Sequence, residues 1–255
     1  MPSQPHTPLS AGPAPDAAAI FLDFDGVLVD LAERPDAITV PDTLGPLLRR
    51  LEAATHGATA IVTGRAIDDI RTYLDQPPAW LAGCHGGERA MPGQPDAPHP
   101  LTGSSAVQDI QRQVGALAAF GDGVVTEMKP LGAVVHYRNA PALEAALADA
   151  AHAIAVSQAG FEAHRAKMAF ELKPQDVGKE RVVADWMDRT PFAGRTPIYF
   201  GDDLTDELAM GWVQSTGGIA VKVGAGDTVA AHRVDHPGDV LAALSAWLEA
   251  SNTPV

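Results

Sequence analysis

The aspartates of this chain include two short clusters whose spacing suits joint chemistry. Asp23 and Asp25 stand two residues apart in Asp23-Phe24-Asp25-Gly26, at the end of an apolar run that begins at Ala18. Side chains at i and i+2 of an extended segment point to the same side, and Gly26 lets the backbone turn sharply behind them. The second cluster, Gly201-Asp202-Asp203-Leu204-Thr205-Asp206, follows the apolar Ile198-Tyr199-Phe200. Thr63 closes another apolar run, 58–62, and Lys179 opens a helical pattern. Each residue alone has a bland reading, since strand-end Asp and Thr cap turns and most lysines are solvated. Four or five carboxylates brought together repel one another unless a cation sits among them. A hard divalent ion with oxygen ligands answers that repulsion, and Mg²⁺ suits a site that also holds phosphate.

Such residues must be delivered by elements that end in one place. The pattern predicts buried strands over 18–24, 58–62, 80–82, 197–200 and 219–223, as apolar runs closed by polar or glycine residues. Helices are expected over 41–55, with Leu44, Leu47, Leu48 and Leu51 on one face and Pro41 near the first turn, and over 66–74, 179–187, 203–212 and 240–250. That alternation is the signature of a doubly wound, Rossmann-like parallel sheet, in an α/β core. In such sheets ligands bind beyond the carboxyl ends of the strands, where both aspartate clusters fall.

Between the halves of this core the rhythm changes. The proline-rich stretch 91–100 reads as an exposed loop. Then come a helix (104–120), two strands (124–128 and 133–137), a helix (141–156) and two more strands (161–164 and 168–172). Helix-strand-strand repeated twice implies an inserted α+β domain with an antiparallel sheet. The expected division is a disordered tail over 1–16, a core over 17–102 and 174–255, and the insertion over 103–173. The tail is expected because it carries five prolines and neither the basic nor the apolar region of a signal peptide.

The order Asp23-x-Asp25-Gly26, strand-end Thr63, a lysine, then Gly201-Asp202-Asp203 resembles the four motifs of the haloacid dehalogenase superfamily, and the insertion resembles its cap domains. Gly201-Asp202-Asp203-Leu204-Thr205-Asp206-Glu207, Gly83-Cys84-His85-Gly86, Glu127-Met128-Lys129, His136-Tyr137-Arg138 and Lys167-x-x-x-Glu171-x-x-Pro174 are similar to elements of the trehalose-6-phosphate phosphatase family within it. Two departures stand out. Lys179 follows a glycine where relatives place it before one, which leaves Lys173 as an alternative, and Thr63 replaces a frequent Ser while keeping the hydroxyl.

The resemblance implies a fold, a reaction and a set of roles. Asp23 is the nucleophile and forms an aspartyl phosphate. Asp25 is the general acid and base. Thr63 and Lys179 hold the phosphoryl oxygens. Mg²⁺ is bound by Asp23, the backbone carbonyl of Asp25 and Asp202, with Asp203 and Asp206 supporting. Arg65, His85, Gly86, Lys129, Arg138, Lys167 and Glu171 contact the substrate, with the insertion choosing the sugar. The expected reaction is hydrolysis of trehalose 6-phosphate. A related phosphatase for sucrose phosphate or mannosyl phosphoglycerate, and a non-catalytic sugar-phosphate sensor, remain as other readings.

Bulk properties narrow the partners. A net charge of −14 argues against nucleic acid, whose phosphates are held by Lys and Arg. It also means that an anionic substrate needs a local cluster of positive charge. No apolar window is long enough to span a bilayer, so no membrane partner is expected. Cys84 is the only cysteine; it reads as a small buried residue and fits a reducing, cytoplasmic compartment. A monomer acting on a small-molecule sugar phosphate is the expectation.

Overall fold

A computed structural model describes Leu9 and residues 12–32, 37–166 and 168–251. The strands, in chain order, are β1 (Ala18–Leu22), β2 (Thr59–Val62), β3 (Trp80–Gly83), β4 (Glu88–Ala90), β5 (Ala97–Pro98), β6 (Val125–Lys129), β7 (Gly132–His136), β8 (Phe161–Ala166), β9 (Ala169–Pro174), β10 (Thr196–Gly201), β11 (Ile219–Val223) and β12 (His232–Val234). The α-helices are α1 (Leu44–Ala54), α2 (Ile67–Tyr73), α3 (Ser105–Ala116), α4 (Glu144–Ser157), α5 (Lys179–Met187), α6 (Glu207–Ser215) and α7 (Pro237–Ser251). The chain forms two compact units, Met1–Ala97 with Lys179–Val255, and Pro98–Gly178. The second unit starts earlier and runs further than the expected 103–173. Gln175 N–H donates to the Gly160 carbonyl at 2.8 Å and His99 meets Asp176 at 3.1 Å, which ties both margins to this unit.

The first unit is built on a sheet of order β12-β11-β10-β1-β2-β3-β4-β5, parallel from β12 through β3. β4 pairs antiparallel with β3. The chain adds β2 and β3 on one side of β1, then returns to add β10, β11 and β12 on the other. The reversal lies between β1 and β10, which places a crevice at their carboxyl ends. All five residues of β1 are buried because both of its faces are covered. Ile20 and Leu22 pack in one layer with Leu47, Leu51, Leu244 and Trp247. Phe21 packs in the other with Val182, Trp186, Met210 and Phe192, whose ring stacks on it at 5.2 Å.

The second unit has a four-stranded antiparallel sheet of order β6-β7-β9-β8. Ala133, Val135, Tyr137, Phe170 and Leu172 face α3 and α4 and form its core. Tyr137 is fully buried on Phe170, whereas His136, one residue away, is half-exposed and meets Glu127 at 3.1 Å. On the face away from the core, the register aligns Glu127, Val134, Glu171 and His164 in one row.

Several expectations need correction. Residues 12–16, read as part of a disordered tail, are ordered: Pro15–Ala17 is a 3-10 turn, the Pro13 carbonyl accepts the Trp247 indole N–H at 3.0 Å, and Leu9 is buried. An apolar leucine and an indole donor supply the anchors that proline content alone does not reveal. Residues 1–8, 10 and 11 lie outside the described residues. α1 begins at Leu44, and Pro41 precedes it, accepting the Leu44 N–H at 2.9 Å. α6 begins at Glu207 and not at 203, because Asp203 Oδ1 accepts the backbone N–H groups of Thr205 and Asp206 and holds these residues in a turn. β4, β5 and β12 are too short to leave a pattern in the sequence.

Candidate active site

The carboxyl ends of β1 and β10 bring the two aspartate clusters together. Asp23 follows β1, and its N–H donates to the Phe200 carbonyl of β10 at 3.1 Å, which locks the two strand ends in register. Gly26 has φ +71°, and a Cβ there would lie 2.2 Å from Asp202 Oδ2. Glycine at 26 is therefore what lets the second cluster reach the first. The same holds inside the second cluster, where a Cβ on Gly201 would sit 2.4 Å from the Asp206 side chain.

Lys179, at the head of α5, is the hub. Its Nζ donates to Asp23 Oδ2 at 2.7 Å and to Asp206 Oδ1 at 2.8 Å, with all three side chains buried. Asp206 is fully occupied. Oδ1 also accepts the Tyr199 hydroxyl at 2.7 Å, and Oδ2 accepts the N–H groups of Asp202 and Asp203 at 3.1 and 3.2 Å. Burial opposes the Lys179 charge, but the Asp206 and Asp23 carboxylates outweigh it and hold the ammonium well above its ordinary pKa. Burial pushes Asp23 upward, with Lys179 opposing. Tyr199 is driven up by burial and by Asp206, so it remains a donor. Lys173, the other candidate, lies on β9 in the second unit and is half-buried.

Carboxylate oxygens of Asp23, Asp202, Asp203 and Asp206 all lie within 4.8 Å of one another. The donor set fits a hard divalent cation. Asp206 has no capacity left, and Asp203 spends Oδ1 on Thr205 and on its own turn. Asp202 is different. Burial and the Asp206 and Asp203 carboxylates push its pKa up to about 7. A carboxyl so unfavourably placed as an anion is one that a bound cation would relieve. Asp203, by contrast, overcomes its burial through Lys179 and the Thr205 bonds and is held below its ordinary value.

Thr63, buried at the end of β2, accepts the Arg65 N–H at 3.2 Å on Oγ1. Arg65 reaches Asp25 with a two-pronged contact, Nε to Oδ2 at 2.6 Å and a terminal nitrogen to Oδ1 at 2.7 Å. His85 has φ +56° and lies against Gly64, where a Cβ would meet its ring at 2.7 Å. Its neighbour Cys84 is half-buried with φ +49°, and is not the fully buried residue expected, because the left-handed turn carries it off the strand. Asp23, Asp25, Thr63, Arg65, His85, Lys179, Asp202 and Asp203 share one open cleft of ≈ 760 Å³, room for a phosphoryl group and a sugar ring.

The expected sugar-binding residues lie in the second unit. Lys129 Nζ is 3.5 Å from Glu171 Oε1, on the sheet face away from the core. Arg138 is exposed, and Lys167 lies outside the described residues. Two site residues went unread in the sequence. Tyr199 looks like core in an apolar run. Lys222 is a buried lysine on β11 that donates to the Asp202 carbonyl. Its signal was there to find, as one charge inside Ile219–Val223.

The sequence model of the family described as Trehalose-phosphatase matches residues 21–237. The trehalose-6-phosphate phosphatase of Escherichia coli (strain K12) is 34% identical over 236 residues, covering 92% of this chain and 86% of that one. A probable trehalose-phosphate phosphatase of Sinorhizobium fredii (strain NBRC 101917 / NGR234) is 37% identical over 211 residues, covering 82% and 78%. The solved structure of Aspergillus fumigatus trehalose-6-phosphate phosphatase superposes with a TM-score of 0.74 at 23% identity, over 92% of this chain and 93% of that one, a likeness of fold. The chain belongs to the trehalose-phosphatase family, and is thereby a phosphoric monoester hydrolase.

Proposed function

We propose that this enzyme hydrolyses trehalose 6-phosphate to trehalose and inorganic phosphate through an aspartyl phosphate on Asp23. The observation that carries the reading is the buried Lys179 bridge between Asp23 and Asp206. It fixes one oxygen of Asp23 and leaves Lys179 a third N–H, of its three, to offer a phosphoryl oxygen. Phe24 N–H donates to the other oxygen, Oδ1, at 2.7 Å, so the carboxylate is oriented from both ends.

In the first half-reaction an Asp23 oxygen bonds to phosphorus as the phosphorus–sugar oxygen bond breaks. Asp25 gives its proton to the departing oxygen. In the second, Asp25 takes a proton from water, the water oxygen bonds to phosphorus, and the acyl phosphate opens to regenerate the Asp23 carboxylate. Thr63 and Lys179 donate to the phosphoryl oxygens while charge spreads over them. Asp23, Asp202 and the Asp25 carbonyl would hold Mg²⁺, which supplies charge neutralisation at the phosphoryl group when bound. Asp206 orients Lys179, and Asp203 shapes the turn that presents Asp202.

Sugar recognition is assigned to the second unit, where Lys129, Arg138, Lys167 and Glu171 offer donors and an acceptor suited to hydroxyl groups. The test is phosphate release from trehalose 6-phosphate against a panel of sucrose, glucose and mannosyl phosphates, with Mg²⁺ and then with excess chelator. Trehalose 6-phosphate is expected to lead the panel by a wide margin and only with metal. Equal rates across the panel would remove the substrate assignment, and undiminished rates in chelator would remove the metal.

A further inference from the structure

We infer that Arg65 is the positioning residue of the general acid: its guanidinium sets the plane and place of the Asp25 carboxylate. This rests on the aspartyl-phosphate reading above and departs from the expectation that Arg65 grips substrate. The donors that would form such a grip, Nε and a terminal nitrogen, are both spent on Asp25 at 2.6 and 2.7 Å. A parallel two-bond contact fixes the orientation of a carboxylate as well as its distance, which a single ammonium cannot do.

The contact is not an ordinary surface ion pair. The Arg65 side chain is 10% exposed. Its guanidinium carbon lies 5.2 Å from the Tyr73 ring centroid and 5.9 Å from that of Phe24, so the flat cation is held among aromatic groups. Its backbone is pinned at both ends, the N–H on Thr63 Oγ1 at 3.2 Å and the carbonyl accepting Cys84 N–H at 2.8 Å. Arg65 is thus a fixed post. Asp25, beside the sharp turn at Gly26, is the more exposed partner at 29%, and is the one whose place is being set.

The consequence is specific to one step. During phosphoryl transfer the Asp25 proton moves to the leaving oxygen as the bond from that oxygen to phosphorus breaks and the bond from Asp23 forms. A misplaced acid slows the departure of a strongly basic leaving group and hardly affects one that leaves as a stable anion. A phosphate grip would instead act on every substrate alike.

The experiment measures kcat/KM, which is blind to the later hydrolysis of the intermediate, for phenyl phosphate and 4-nitrophenyl phosphate, two ligands of similar shape. Arg65→Met is expected to lose ~10²-fold on phenyl phosphate, within the range of general acid catalysis, and less than ~3-fold on 4-nitrophenyl phosphate. Asp25→Asn should show the same pattern. The double variant should be no worse than Asp25→Asn alone, since residues acting as a unit are not additive. Arg65→Lys should recover part of the loss. If Arg65→Met does not fold, Arg65→Lys is read by the same ratio of the two substrates. Equal losses on both phosphates, or additive losses in the double variant, overturn the positioning role. Asp23→Asn separates the levels. An inactive Asp23→Asn with an unchanged substrate ratio at Arg65 sinks this role alone, and an active one sinks the mechanism beneath it as well.

Discussion

At the scale of single residues, most charges of the site are paired, and Asp202 is the carboxyl that burial and the neighbouring Asp206 and Asp203 carboxylates disfavour as an anion. Asp23→Asn keeps the size of the side chain and removes the carboxylate that the proposed mechanism uses as its nucleophile. Phosphate release should fall by at least ~10³-fold with the fold intact, as measured by turnover and thermal melting of the purified variant. Asp202 supports a pH prediction. Its folded pKa of about 7 exceeds the ordinary 3.8, so between these values the metal-free folded state binds more protons than the unfolded one. Stability from this group is complete at the acid end and is lost as pH rises toward 7 and through it. The Tm of the metal-free enzyme should therefore fall across that window relative to Asp202→Asn, whose curve should be flatter. Parallel curves for the two proteins would show that Asp202 is not strained.

At the scale of elements, the turns after β1 and β10 are as important as the strands. Gly26→Ala puts a Cβ where Asp202 Oδ2 now lies, at a left-handed φ that alanine disfavours. Affinity for Mg²⁺, read by titrating activity or Tm, should weaken at least ~10-fold, by our reckoning of a displaced ligand. Unchanged affinity would mean Asp202 is no ligand. In the second unit, Glu171 stands on β9 beside Lys129 of β6. Glu171→Gln should lower kcat/KM for trehalose 6-phosphate by ~10²-fold if the glutamate makes more than one charge-assisted bond to hydroxyls. Activity on 4-nitrophenyl phosphate should scarcely move. Equal losses on both substrates would instead mark Glu171 as structural support.

At the scale of the whole molecule, a protein of net charge −14 handles an anionic substrate. The cleft resolves this locally, with Lys179 and Arg65 lining it and Lys222 buried behind Asp202. Lys179 and Arg65 are both paired with carboxylates, and the proposed divalent ion would add positive charge beside them. Mg²⁺ should raise the Tm, by mass action on the folded state alone, and chelator should reverse it together with activity. Ca²⁺ should bind and inhibit, because its looser coordination disturbs in-line geometry. Activity that survives excess chelator would refute this.

Much of this protein was legible before its structure. Buried parallel strands are continuous apolar runs, so the pattern set Asp23, Thr63 and Asp202 at the ends of strands in an α/β core, where the structure has them, while their roles came from the family resemblance. Helix starts were less legible where a side chain competed for the backbone, as Asp203 does ahead of α6. What only the tertiary structure decided is which charges meet. Lys179 and Asp23 are 156 residues apart, and Arg65 and Asp25 are 40 apart. Such pairings follow from strand order and register, so no local pattern distinguishes Lys179 from Lys173, or an arginine that holds a carboxylate from one that holds substrate. Residue types state what chemistry is available, and the reversal of the sheet between β1 and β10 selects which of them come within bonding distance.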